Sequence, residues 1–441
     1  MTAEIAILNK RAVALAADSA VTIGASAKTY NSANKLFMLS KCEPVGAMIY
    51  GNAEFMGVPW ETILKRYRSQ LGSNAFDSID DYCDHFLAFL QRDDVILPES
   101  RRKHGLIRAI GYRFHSVLQS LNEQVNDVIA ESSEVPSEED LQELAKATIA
   151  AEEARLALLA DLPNAEELTA SLSSFGEEVS TAIVAVFERF PLSSEAVEGL
   201  QRLAILYVAK DDWSSQYSGV VVAGFGELDV YPRLRTFRLE CAVGNELKFK
   251  SEKERQCDIT DEADGAIIPF AQSEMVSAFM EGVDPLYSQM AQGQLDTLFD
   301  NIPSVVTDNL SELLGQQANI MDAQLEEVRA ALSAGSKKIL EDFKSRMGQF
   351  QHERYIQPIL GVVNVLPVEE LASMAETLVS LTSFKRRMSM DVETVGGPVD
   401  VAVISKGDGF IWINRKHYFK PDLNHAFFQN YFRRVSEVKE S

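Results

Sequence analysis

Val13-Ala14-Leu15-Ala16-Ala17-Asp18-Ser19 is a run of five small or branched apolar residues that ends on a carboxylate. An apolar run without polar alternation suits a strand covered on both faces. An acid at the end of such a strand needs a partner, because an unpaired buried carboxylate is costly. Reading outward, residues 4–8 form a short apolar strand, and Asn9-Lys10-Arg11 between the two runs suits a hairpin turn. On the other side, Lys35-Leu36-Phe37-Met38-Leu39 reads as a third strand and Val45-Gly46-Ala47-Met48-Ile49-Tyr50 as a fourth. Lys35 begins an apolar strand as Asp18 ends one, so an ion pair between them would satisfy both.

Past Gly51 the period changes. Trp60, Ile63, Leu64 and Tyr67 recur at helical spacing, and Leu71-Gly72 ends the run. From about 79 to 208 almost everything reads as helix. Within it, residues 131–180 carry 13 acids against only Lys146 and Arg155, a net of −11, as expected of a solvated amphipathic hairpin. β character returns at 219–225 and 233–243. Helical pattern follows at 272–280, 287–350 and 368–388. Strands at 399–405 and 410–414 close the chain, joined by the tight-turn signal Lys406-Gly407-Asp408-Gly409. The order β-β, α, β-β, α, β-β favours antiparallel sheets layered with helices over a parallel doubly wound sheet.

Composition narrows the function classes. With 441 residues, 46% of them hydrophobic, the chain can bury a substantial core. Sixty-five acids against 42 Lys and Arg give a net charge of −23, which repels nucleic-acid phosphates and anionic membrane. The basic runs Arg101-Arg102-Lys103 and Lys385-Arg386-Arg387 are short and read as solvated helix faces. No apolar stretch of about 20 residues exists to span a bilayer, and the first residues lack the pattern of a signal peptide. The four cysteines form no C-x-x-C pair and no zinc-spaced cluster with histidine. The expectation is a cytoplasmic protein without nucleic acid, membrane, metal or organic cofactor. The six histidines are scattered and read as packing residues. Ser32-x-x-Lys35 fits the serine acyl-transfer pattern poorly, since that motif wants its serine at a helix start. Gly224-Phe225-Gly226 lacks the third glycine of a dinucleotide fingerprint.

The start of the chain carries the chemistry. Met1 precedes a small residue, the condition under which initiator methionine is trimmed, and trimming leaves Thr2 with a free α-amine. A threonine hydroxyl is a poor nucleophile without an adjacent base. The α-amine, with a reference pKa near 7.7–8.0, can be that base and is already positioned. A nearby lysine cation disfavours its protonation and keeps it available. Lys35 is the candidate cation and Asp18 the acid that holds it.

Here the sequence resembles proteasome β-type subunits and their bacterial relatives, a family of N-terminal-nucleophile (Ntn) hydrolases. Ala14-Leu15-Ala16-Ala17-Asp18-Ser19 looks like the family's second strand, with Asp18 sixteen residues after Thr2. Asn34-Lys35-Leu36-Phe37 looks like the segment bearing the catalytic lysine, offset by one residue. Tyr50-Gly51-Asn52-Ala53 resembles the turn whose glycine N–H forms the oxyanion hole. Val220-Val221-Val222-Ala223-Gly224-Phe225 followed by Pro232 and Leu234 looks like the central hairpin. Ala271-Gln272-Ser273 before Ser277-Ala278-Phe279 is similar to the opening of the third helix, with Ser273 as the serine near the amine. Gly396-Gly397 resembles the glycine pair after a conserved aspartate and serine. There the chain departs: Val395 stands at the serine, and the acid is Asp391 or Glu393.

The resemblance implies an α+β fold, a four-layer α/β/β/α Ntn-hydrolase sandwich with two long helical insertions. Its core would occupy 1–78, 216–286 and 365–418. Helical insertions would fill 79–215 and 287–364, and a tail 419–441. It implies a threonine protease cleaving amide bonds of peptides or unfolded protein, with Thr2, Asp18, Lys35, Gly51, Ser273 and Asp391 as site residues. Assembly into a homo-oligomer and an ATPase unfoldase partner are implied as well. Two other readings stay open: a proteasome-like scaffold without activity that acts through its insertions, and a small-molecule amidase of the same fold.

Overall fold

A computed structural model describes residues 3–23, 28–132, 135–314, 322–388, 395–417 and 419–429. The chain is a mixed α and β protein that divides into two compact units, Met1–Ala271 with Pro367–Ser441, and Gln272–Leu366.

The first unit opens with β1 (Ala3–Asn9) and β2 (Ala12–Ala17), buried along their whole length as their apolar composition demands. Asn9 Oδ1 accepts from the backbone N–H of Arg11 (2.9 Å) and Ala12 (3.3 Å), which closes the hairpin as an Asx turn. Next come the small hairpin β3 (Val21–Ile23) with β4 (Lys28–Tyr30), then β5 (Leu36–Met38) and β6 (Val45–Gly51). A second small hairpin, β7 (Glu54–Phe55) with β8 (Val58–Pro59), leads into α1 (Trp60–Leu71). Six further helices follow: α2 (Ile79–Arg92), α3 (Glu99–Ser132), α4 (Glu138–Ala157), α5 (Ala165–Leu172), α6 (Gly176–Phe187) and α7 (Ser194–Ala209). Strands β9 (Ser218–Gly224), β10 (Arg233–Val243), β11 (Glu246–Ser251), β12 (Cys257–Asp258) and β13 (Gly265–Ala271) complete this segment. After the second unit, α12 (Val368–Met388), β14 (Asp400–Ser405) and β15 (Gly409–Asn414) return to the first.

All strand pairs are antiparallel. One sheet runs β13-β1-β2-β14-β15 and the other β11-β10-β9-β6-β5, with β12 beside β10. The alternation of strand side chains separates two cores. Met48 and Tyr50 of β6 and Val221 of β9 pack with Ala6, Leu8, Leu15 and Ile404 of the other sheet. Val45, Ala47 and Ile49 turn the opposite way, onto Trp60, Tyr67, Phe86 and other residues of α1 and α2. Helix α12 lies against β1, β2 and β14. The sheets approach closely at Gly46, where a Cβ would meet the Phe410 ring at 2.7 Å. Helices α3 to α7 build their own core around Phe114, Leu168, Ile183 and Leu203, joined to the sheet by Cys241 and Val243 of β10.

In the second unit, α8 (Glu274–Glu281) falls on the helix read at 272–280, α9 (Pro285–Leu314) and α10 (Asp322–Gln351) divide the helical pattern read over 287–350, and α11 (Gln357–Val365) follows it. A left-handed Gly282 (φ +72°) ends α8, and its Cα faces the Tyr355 ring. Among the described residues no helix is long and apolar enough to cross a membrane.

Two of the departures from the sequence reading have a clear physical cause. Strand β13 was not expected, because Pro269 interrupts its pattern; it sits at the sheet edge, where a missing N–H is tolerated. Arg102 is not part of a solvated face. It is 3% exposed, and its guanidinium donates to the carbonyls of Leu97 (2.7 Å), Gly244 (2.9 Å) and Gln91 (2.8 Å) and to Asn245 Oδ1 (2.6 Å). It thus ties the start of α3 to the β10–β11 turn. Replacing Arg102 with Met strands these acceptors and is expected to cost about 3 kcal/mol in urea unfolding, whereas Lys103→Met stays within about 0.5 kcal/mol.

Candidate active site

Asp18 follows directly on β2, and the β1–β2 register brings it beside Ala3. Asp18 clasps the Ala3 backbone: Asp18 N donates to Ala3 O (3.0 Å), and Ala3 N donates to the Asp18 side-chain Oδ1 (3.1 Å). Asp18 Oδ2 accepts from Ala20 N (3.2 Å) and Gly396 N (2.9 Å). The carboxylate is fully buried, and its remaining partner is Lys35, whose Nζ donates to Oδ1 at 2.5 Å. Lys35 is 6% exposed and enters from the residue just before β5, with its carbonyl accepting Ile49 N at 2.9 Å. A second carboxylate meets the same ammonium: Glu4 Oε1 of β1 lies 3.4 Å from Lys35 Nζ, with Glu4 2% exposed.

The segment around Gly396 backs this cluster. Ser19 N donates to Gly396 O (3.1 Å), Ser19 Oγ donates to Pro398 O, and Ala33 N donates to Ser19 O (3.0 Å). Gly397 has φ +78°, and a Cβ there would meet Asn31 Cβ at 2.7 Å and Ser19 Cβ at 3.3 Å, so glycine is required on both counts. The glycine pair therefore lets the chain run close over Asp18 and Ser19.

Gly51 ends β6 with φ +77°, and a Cβ would meet Tyr217 O at 2.7 Å. Ile49 N turns toward Lys35, and Asn52 N turns the other way, onto Tyr217 O at 3.0 Å. Alternation along the strand therefore aims the Gly51 N–H at the Lys35 edge. The preceding Tyr50 donates its hydroxyl to Glu252 Oε2 at 2.5 Å, and burial together with the Glu252 charge raises its phenol pKa above the usual value.

Asp18 and Lys35 thus meet beside Ala3, and Gly51 lies two residues beyond Ile49, whose N–H meets the Lys35 carbonyl. Thr2 and Asp391, with its alternative Glu393, lie outside the described residues. Ser273 belongs to the second unit, where it precedes α8 and its carbonyl accepts Ser277 N at 2.8 Å. Sequence reasoning missed Glu4, which it absorbed into an apolar strand; an acid inside such a strand was the available signal.

Other nucleophiles fare poorly among the described residues. Burial raises the thiol of Cys241 to about 12 and that of Cys257 to about 11, which suppresses the thiolate. His85 faces the Tyr67 hydroxyl at 3.0 Å, and burial lowers its pKa. No group of three or more His, Cys, Asp or Glu that could hold a metal occurs among the described residues.

No family model and no curated protein matches the chain. Among solved structures it is similar to a mutant Anbu from Hyphomicrobium sp. strain MC1, at 8% identity and a TM-score of 0.28 over 100% of both chains. It is also similar to Anbu, described as an ancestral beta-subunit, from Yersinia bercovieri, at 9% identity and a TM-score of 0.26 over 98% of this chain and 95% of that one. Likeness at this level bears on neither fold nor chemistry.

Removing Lys35 leaves two buried carboxylates facing each other. Lys35→Met is expected to destabilise by about 3–5 kcal/mol. Adding Asp18→Asn should recover part of that loss, so a double-mutant cycle by denaturant unfolding reads a coupling well above 1 kcal/mol. Additive losses would show that the pair does not hold the site.

Proposed function

We propose that this chain is a proteasome-like threonine hydrolase that cleaves amide bonds of peptides or unfolded protein with Thr2 after removal of Met1. In this reading the first unit is a four-layer α/β/β/α sandwich. The observation that carries it is the buried Lys35–Asp18 pair, with Asp18 also holding the N–H of Ala3. Chain continuity makes residue 2 the direct neighbour of that clasped Ala3.

Thr2 Oγ attacks the substrate carbonyl carbon as the Thr2 amine takes the hydroxyl proton. Negative charge develops on the carbonyl oxygen and is met by the Gly51 N–H, whose direction β6 fixes before substrate arrives. Collapse breaks the C–N bond, and the amine returns the proton to the leaving nitrogen. Water then attacks the acyl ester with the same amine as base, releasing the acid and restoring Thr2. Lys35 acts on the amine by its field, favouring the neutral form, and Asp18 keeps the lysine in place. An enclosing homo-oligomer and an ATPase unfoldase belong to the same reading.

An electrophilic probe tests it. Intact mass should show loss of Met1, and an epoxyketone, which bonds both hydroxyl and amine, should label Thr2 in peptide maps. Thr2→Ala should abolish labelling, and Lys35→Ala should slow peptide turnover by about 10²–10⁴-fold. A chain that keeps Met1 and takes up no probe would instead be a scaffold.

A further inference from the structure

In a chain of net charge −23, one open cavity gathers cations. It encloses about 450 Å³, a ligand-sized volume, and Arg238, Lys250, Lys253 and Arg255 line it. Arg238 and Lys250 stand in the row Tyr50, Gly219, Arg238, Lys250, which crosses β6, β9, β10 and β11 on one face of the sheet. Gly219 is the gap in that row. A Cβ there would meet Tyr50 Cζ at 2.0 Å, so the tyrosine ring lies over β9 and carries its hydroxyl to Glu252, just past β11.

Glu252 is the hub of the cavity wall. It accepts from the Tyr50 hydroxyl at 2.5 Å, from Arg238 Nε at 2.9 Å and from Arg255 Nη1 at 3.5 Å. Aromatic rings brace both guanidiniums: Arg238 Cζ lies 4.5 Å from the centre of the Tyr217 ring and 5.5 Å from that of Trp213, and Arg255 Cζ lies 5.6 Å from that of Tyr50. Inside the cavity Arg238, Arg255 and Lys250 meet Glu252 and Asp211, which leaves one positive charge over. Asp211 is already taken by Lys250 Nζ at 2.5 Å and by Trp213 Nε1 at 2.6 Å. At the rim, exposed Lys253 and Glu254 balance, and Asp161 pairs with Lys210 at 2.9 Å. Nη1 of Arg238, and Nε and Nη2 of Arg255, donate to no other group among the described residues.

Two braced guanidiniums with spare N–H groups suit a carboxylate, whose two oxygens match their planar geometry. One surplus charge matches a monoanion better than a phosphate dianion. Tyr50, which reaches this wall, immediately precedes Gly51, the proposed oxyanion donor.

We propose that this cavity is a substrate subsite that holds a carboxylate of the peptide, gripped by Arg238 and Arg255. The inference rests on the hydrolase reading above. The carboxylate comes from an acidic side chain or from a free C-terminus, and the test separates the two.

Trp213 beside Arg238 gives a fluorescence readout of binding that does not need turnover. The full chain is titrated with three acetylated peptides: one with a glutamate and an amidated C-terminus, its glutamine counterpart, and that counterpart with a free C-terminal carboxylate. At least one carboxylate peptide should bind about tenfold tighter than the neutral one, less so as salt rises, and the tighter of the two identifies the source. Its kcat/KM should carry the same gain. Arg238→Gln and Arg255→Gln should remove most of the preference. Glu252→Gln, which deletes the internal counter-charge, should increase it, a change that a merely structural role does not produce. Where the arginine variants do not fold, Lys250→Gln, at a side chain 42% exposed, should weaken the preference severalfold.

Equal binding of all three peptides to the native chain overturns the subsite, and so does a preference unchanged in the folded variants. Either result leaves the hydrolase reading standing if Thr2 takes the epoxyketone. An arginine-dependent preference in a chain that keeps Met1 and resists the probe supports the carboxylate site and removes the hydrolase reading beneath it.

Discussion

A lysine ammonium enclosed between two carboxylates is the constraint on which the site depends. Lys35 at 6% exposure and Asp18 at 0% cannot be separated cheaply: Asp18 would lose the ammonium that neutralises it, and Lys35 would keep only the longer contact to Glu4 at 3.4 Å. Their pairing fixes more than two side chains. Asp18 also accepts from Ala3, Ala20 and Gly396, so one carboxylate joins the start of β1, the turn after β2 and the approach to β14. Moving any of these segments disturbs hydrogen bonds to a charged group, the stronger kind.

The two sheets explain why such a cluster forms here. Asp18 follows the last residue of β2, and Lys35 precedes the first residue of β5 in the other sheet, so the ion pair spans the two sheets beside their shared core. Small residues make that approach possible. Gly46 leaves room for the Phe410 and Ile404 side chains, and the alanines of β2 keep its surface flat. Bulk at these positions would push the sheets apart and with them the two halves of the pair.

Much of this was legible because charges on apolar strands are expensive and therefore informative. Asp18 and Lys35 each stood at the border of an apolar run, and pairing them followed from burial cost alone. Strand β14 and its tight turn followed from composition in the same way. What stayed hidden has physical reasons. Glu4 was masked by its apolar neighbours, because a strand read as a whole averages out one acid. Pro269 disguised an edge strand as a break. Arg102 looked solvated because its acceptors are mainly backbone carbonyls from two other segments, which no local pattern announces. Contacts that join Gly396 to Asp18 across 378 positions are likewise invisible to periodicity.

The buried acids also bear on how a chain this acidic holds a buried cation. With a net charge of −23, the long-range field favours protonated amines over the whole surface. Bulk salt screens that field beyond about 8–10 Å, but it does not screen a pair held at 2.5 Å in a site closed to water. The local arrangement therefore outweighs the global one. Lys35 sits 3.4 Å from Glu4 of β1 and 2.5 Å from Asp18, so its field is met at close range by specific carboxylates. A single carboxylate would leave the lysine held from one side. Two carboxylates, one on β1 and one just after β2, fix the direction of the ammonium.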